Sequence, residues 1–163
     1  MKSDGLGRHL LIAGAIAAAF YLIAYNWIEY RRNVKGPWQA AFTTEADGIP
    51  LLRIDQPALG ITHVTLRFPD ENVTLTNGSQ TVEYSNPLPS PPLDAPFGKV
   101  VFFDTTFLPG TITFEMFGHQ VELLPRVLNI DLVEHPWNSG STIDVTGEGT
   151  APEEPLKRKR VVY

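Results

Sequence analysis

Nineteen consecutive residues without a charge, positions 10–28, constrain this chain more than any other feature. The run reads LLIAGAIAAAFYLIAYNWI, and Asn26 is its only strongly polar side chain. At about 1.5 Å of rise per residue it covers roughly 28 Å as a helix, close to the hydrocarbon thickness of a bilayer. Arg8 and His9 bound it on one side; Glu29, Arg31, Arg32 and Lys35 bound it on the other. Tyr21, Tyr25, Trp27 and Tyr30 gather toward its C-terminal end, where amphipathic rings favour the headgroup level. The expectation is a transmembrane helix over residues 10–30, with a polar tail at 1–9 and a juxtamembrane connector at 31–37.

A cleaved secretory signal is the competing reading. It needs an apolar core of roughly 7–15 residues followed by a small-x-small site. This run is longer, and it ends in Tyr25-Asn26-Trp27-Ile28-Glu29, a poor cleavage sequence. The best small-residue site, Ala17-Ala18-Ala19, lies inside the run. A buried helix of a soluble protein fits less well, because the rest of the chain reads as β and offers nothing to wrap an all-apolar helix.

The first half of the run is rich in small residues. Gly14 and Ala18 form a small-xxx-small pair, Ala13 and Ala17 a second, and Tyr21 continues the same side. Small residues let helix backbones approach closely, which drives association inside lipid. Ala13, Gly14, Ala17, Ala18 and Tyr21 are therefore the expected helix–helix interface. Orientation is less constrained: Lys2 and Arg8 against Asp4 on one flank nearly balance Arg31, Arg32 and Lys35 against Glu29 on the other. A short tail before a single anchor most often stays in the cytoplasm, so the β domain is expected on the extracytoplasmic, periplasmic side.

Residues 36–145 suffice for one modest core. They carry thirteen acidic residues against Arg53, Arg67, Lys99 and Arg126, a net −9, whereas the whole chain is −5. An acidic domain of this kind is a poor surface for nucleic acid. The chain has no cysteine, which excludes disulfides, zinc–thiolate sites and thiol nucleophiles.

Beyond residue 37 the pattern is strand after strand. Trp38, Ala40 and Phe42 alternate with polar or small neighbours, and Asp47-Gly48 turns the chain back through 51–54. Over 61–68, Thr62, Val64, Leu66 and Phe68 form the expected core face. Asn77-Gly78 is a type I′ signal predicting a hairpin of 73–76 with 81–84. Pro87, Pro89, Pro91, Pro92 and Pro96 mark a stiff crossover between two groups of strands. Strands are expected at 99–104, 110–117, 119–124, 127–132 and 142–145. Nine or ten short strands without a helical period point to an antiparallel β-sandwich over 38–145, with an Ig-like arrangement or a small barrel as the alternative. Residues 146–163 read as an extended tail.

Chemistry finds little support. His9, His63, His119 and His135 lack the spacing of a metal motif. No serine stands in a nucleophile-elbow context, and no glycine-rich loop could cradle phosphate. No cofactor of its own is expected. Two features suit contact instead. Phe103, Phe107 and Leu108 belong to an apolar series around a Pro-Gly turn. Lys157, Arg158, Lys159 and Arg160, followed by Val161, Val162 and Tyr163, form a basic-apolar strap for an acidic partner or for lipid headgroups. The sequence thus reads as a non-catalytic accessory subunit of a larger integral membrane complex. Energy-transducing complexes, respiratory or photosynthetic, are natural hosts by analogy. A free-standing anchored binding module and an anchored enzyme or metal-binding protein are the rivals.

Overall fold

A computed structural model describes residues 5–75, 78–85 and 90–150, and the chain divides into a helical unit and a β unit between Val34 and Lys35. Helix α1 spans Leu6–Asn33. It outruns the apolar segment at both ends, since Arg8, Glu29, Arg31 and Arg32 are compatible with helix and need no burial. Arg31 and Arg32 occupy its last turn, where positive charge complements the helix dipole.

In the β unit, β1 (Trp38–Thr44), β2 (Pro50–Gln56), β3 (Ile61–Arg67), β4 (Ser79–Tyr84) and β11 (Thr142–Asp144) form one sheet, ordered β11-β3-β2-β1-β4. The second sheet contains β5 (Leu93–Ala95), β6 (Gly98–Asp104), β7 (Thr111–Met116), β8 (His119–Leu123), β9 (Leu128–Ile130) and β10 (Val133–His135). It is ordered β10-β9-β8-β7-β6-β5, a meander in sequence order. The arrangement is sandwich-like, and every pairing is antiparallel except that of β11 with β3. In the first sheet β4 lies beside β1, giving the 4-1-2-3 order of a Greek key. The chain changes sheet between β4 and β5, where the crossover is expected; residues 86–89 of the proline-rich segment, with Pro87 and Pro89, lie outside the described residues.

The expected hairpin of 73–76 with 81–84 does not form. Residues 71–75 contain no strand, Thr76 and Asn77 lie outside the described residues, and β4 pairs with β1. The competing register wins because it is longer: Trp38↔Tyr84 through Thr43↔Ser79, six pairs in a row. The preceding segment is held elsewhere, with Val73 N donating to Gly48 O at 2.9 Å and Asn72 Nδ2 to Asp47 O at 2.8 Å.

Two bulges reset the inward and outward alternation. In β3, Ile54↔Val64 is followed by Gln56↔Ile61, so Thr62 and His63 together face Asp55. His63 has φ +55, and Asp55 Oδ1 accepts its backbone N–H at 2.7 Å. Ile61 is therefore buried in place of the expected Thr62, while Val64, Leu66 and Phe68 are buried as read from the alternation. In β6, Val100↔Phe114 is followed by Phe102↔Thr113, which leaves Val101 as the extra residue. This turns Phe103 inward, opposite Ile112, and Phe102 outward.

The strand expected over 127–132 ends at Ile130 as β9, and Asp131-Leu132 turns the chain into β10, which the sequence did not announce. Both turn residues have positive φ, +50 and +67, as a type I′ turn requires, without the glycine that would have announced it. Phe117-Gly118, with φ +54 and +81, makes the equivalent turn between β7 and β8.

These registers define two ends of the β unit. At the entry end, where β1 begins, lie the loops 57–60, 105–110, 124–127 and 136–141. At the far end lie 45–49, 68–75, 96–97, 117–118, 131–132 and 145–150. Trp38 is fully buried at the entry end; its ring packs on Trp137 at 5.3 Å and its Nε1–H donates to Gly110 O at 3.0 Å. Gln56, 1% exposed, donates to Gly36 O at 3.0 Å and Pro37 O at 2.8 Å, fixing the chain as it arrives. Gly110 has φ +68, and a Cβ on it would lie 1.8 Å from Asp104 O. Gly118 also has positive φ but open space around it. Gly118→Ala is accordingly expected to cost about 1 kcal/mol from backbone conformation alone. Gly110→Ala, which must also move the backbone, should cost roughly 3 kcal/mol or more. Thermal unfolding of the two variants side by side checks the order.

Candidate functional site

Three features are open to function: the surface of α1, the apolar loop at the entry end, and a buried histidine–aspartate pair at the far end. In α1, residues 7–33 make one helix whose central stretch is long and apolar enough to cross a membrane, with none of that stretch buried by the described residues. Ala13, Gly14, Ala17, Ala18 and Tyr21 are all exposed, and nothing lies within 4 Å of where a Cβ on Gly14 would be. Gly7, Leu10, Leu11, Gly14 and Ala15 line a shallow apolar groove, because the glycines leave backbone at the surface. Asn26, the polar residue of the run, donates from Nδ2 to Leu22 O at 2.7 Å and so satisfies part of its polarity within the helix. Near the end of the helix, the Arg31 guanidinium lies 5.2 Å from the centroid of the Trp27 ring.

At the entry end the apolar series 102–108 divides. Phe107 is 58% and Phe102 43% exposed, whereas Leu108 is 8% exposed and Phe103 packs against the core. Of the expected contact residues, Phe107 is at the surface; Leu108 and Phe103 are drawn inward. Phe102 takes the outward place assigned to Phe103, for the reason the β6 bulge supplies. The loop is rigidly held at its start. Asp104 Oδ1 accepts the Thr106 N–H at 2.9 Å, a bond that keeps its carboxyl below the usual carboxylate range despite some burial. Lys157, Arg158, Lys159, Arg160 and Tyr163 lie outside the described residues.

His119, 5% exposed, pairs through Nδ1 with Asp131 Oδ2. Asp131 sits in the positive-φ turn, and its Oδ1 accepts from Gln120 N, Thr150 N and Thr150 Oγ1, each at 3.0 Å. Burial works against its charge, but the bonds from His119, Thr150 and Gln120 outweigh it and hold the carboxyl below its ordinary value. The pair joins the β7–β8 and β9–β10 turns. Phe68 and Phe117 pack around it, with the Phe68 ring 6.2 Å from the imidazole and 5.2 Å from Phe117. Its effect is to tie residue 150 to the β9–β10 turn. Sequence reading missed this role because Asp131 and Thr150 carry no motif. The other described histidines do not join it: His9 belongs to α1, His63 lies on the outward bulge and His135 at the end of β10. Among the described residues no three His, Cys, Asp or Glu side chains gather as a metal-binding group.

Compared with family models, curated proteins and solved structures, the chain matches none. The functional reading therefore rests on this geometry. For Asp131 the consequence is a pH signature. A folded-state pKa below the unfolded one contributes stability above the ordinary carboxylate range, and that contribution is lost as pH falls through the folded value. The melting temperature of Asp131→Asn should thus lie below that of the natural protein at neutral pH, with the gap closing in acid. Melting curves at stepped pH in both proteins check this.

Proposed function

We propose that this chain is a non-catalytic accessory subunit of a larger integral membrane complex, anchored by α1 with its β unit on the extracytoplasmic, periplasmic side. The observation that carries the proposal is the bare surface of α1. It is apolar from Leu10 to Ile28, exposed among the described residues, and small on one side at Ala13, Gly14, Ala17 and Ala18. In lipid an apolar helix needs no partner for solvation, so close packing is what such a face adds. The β unit supports the same reading. Its histidine–aspartate pair is engaged in packing, and its exposed aromatic residues, Phe102 and Phe107, suit contact.

The partners implied are other integral membrane subunits and, at the basic strap, lipid headgroups. Nucleic acid is not among them, because the β domain is strongly acidic.

Purification from mild detergent through a tag on this chain is expected to recover multi-helix membrane subunits in fixed stoichiometry. Recovery of a lone chain or a homodimer would favour a free-standing anchored binding module instead. Gly14→Leu with Ala18→Leu keeps the helix apolar while filling the face, so it should abolish co-recovery and leave membrane insertion unchanged. Because the chain has no cysteine, a single Leu132→Cys labelled in intact cells by a membrane-impermeant maleimide reports the side on which the β unit lies.

A further inference from the structure

The charges in the loops of the β unit are divided between its two ends. The entry-end segments 35–37, 57–60, 105–110, 124–127 and 136–141 contain Lys35 and Arg126 and no acidic residue. The far-end segments 45–49, 68–75, 96–97, 117–118, 131–132 and 145–150 contain Glu45, Asp47, Asp70, Glu71, Asp131 and Glu148 and no basic residue. Acidic side chains also stand on the strands beside these loops; Glu134 is exposed, and three others have partners in the chain. Asp55 pairs with Arg53 at 3.2 Å, Glu83 accepts from Gln39 at 3.0 Å, and Asp104 caps Thr106. One large aromatic ring projects from this loop surface, that of Phe107, with exposed Ala58 on the neighbouring 3-10 turn Pro57–Leu59.

A net −9 domain is repelled by anionic lipid when its charge is spread evenly. Here the far-end loops carry six carboxylates and no base, while the entry-end loops carry Lys35 and Arg126 and no carboxylate, so the entry-end loops are the part of the surface least repelled. An exposed phenylalanine on a weakly basic surface is the composition that partitions into a lipid interface, the ring entering the headgroup layer and the bases meeting phosphate. Chain length adds a bound. Only residues 34–37 separate α1 from β1, and four residues span at most about 14 Å fully extended.

We propose that the entry end of the β unit seats on an anionic lipid surface, with Phe107 in the interface and Lys35 and Arg126 facing the headgroups. This rests on α1 crossing the bilayer, as in the proposed function.

The cysteine-free chain permits a direct test. Phe107→Cys, Ala58→Cys, Leu132→Cys and Ile16→Cys would each carry a nitroxide label in the full chain. Each would be reconstituted in phosphatidylcholine vesicles with and without phosphatidylglycerol. Collision with oxygen, relative to collision with a water-soluble nickel chelate, reports depth. The expected result is a ratio severalfold higher at 107 than at 132, intermediate at 58, highest at 16, and a larger contrast when phosphatidylglycerol is present. A ratio at 107 equal to that at 132, with 16 still deep, would overturn the proposal and leave the membrane helix standing. A label at 107 shielded from both reagents would overturn it in favour of a protein contact. Water-like behaviour at 16 would remove the spanning helix, and this inference with it.

Discussion

The two sheets are joined through side chains, and the order of the β unit depends on that one layer. Phe42 and Tyr84 from the first sheet meet Phe97 and Phe114 from the second in edge-on contacts, with ring centroids 5.4–6.3 Å apart. Leu52, Ile54 and Leu66 close against Ile112, Leu123 and Leu128, all fully buried. Each such side chain contributes about 1.5–3 kcal/mol on burial, and edge-on aromatic pairs add roughly 0.5–1.5 kcal/mol. Burial also raises the pKa of the Tyr84 phenol, so the ring stays neutral within the layer. The hydrogen-bonded ladders decide which strands neighbour one another; the apolar layer decides that the sheets face one another.

The polar contacts that matter lie where this layer runs out. At the entry end Trp38 and Gln56 use one N–H and one amide to satisfy carbonyls that would otherwise be buried unpaired. At the far end the Asp131 carboxylate, held by the His119 imidazole, accepts the N–H groups of Gln120 and Thr150. Those contacts tie the β9–β10 turn to the passing segment at residue 150. Exposed apolar surface remains on α1 and around Phe107.

Local pattern and long-range pairing differ sharply in what the sequence reveals. The apolar run of α1, the β1–β2 hairpin at Asp47-Gly48 and the inward face of Val64, Leu66 and Phe68 were legible because each depends on neighbours within a few residues. The Greek-key return of β4 was not, since Asn77-Gly78 advertises a local hairpin and β1 offers a longer ladder from forty residues away in the chain. The two bulges were also invisible, because a single extra residue leaves composition unchanged while reversing which of Phe102 and Phe103 faces solvent. The Asp131-Leu132 turn lacked the glycine or asparagine that normally signals positive φ. Of the candidate surfaces, the helix face was readable from its small residues, whereas the polarity of the entry and far ends appears only once the strands are in register.

The positions of first and last described residues of the β unit have a mechanical consequence. The chain enters at the start of β1, a strand laddered on both sides, and residue 150 is clamped beside the opposite pole. Tension applied between α1 and whatever follows residue 150 would run parallel to the strands. It would load the six-pair ladders of β1 with β2 and with β4 in shear, many bonds at once, and not open them one at a time. A domain strung this way resists stretching, and it would hold two attachments at a fixed separation set by the length of its strands.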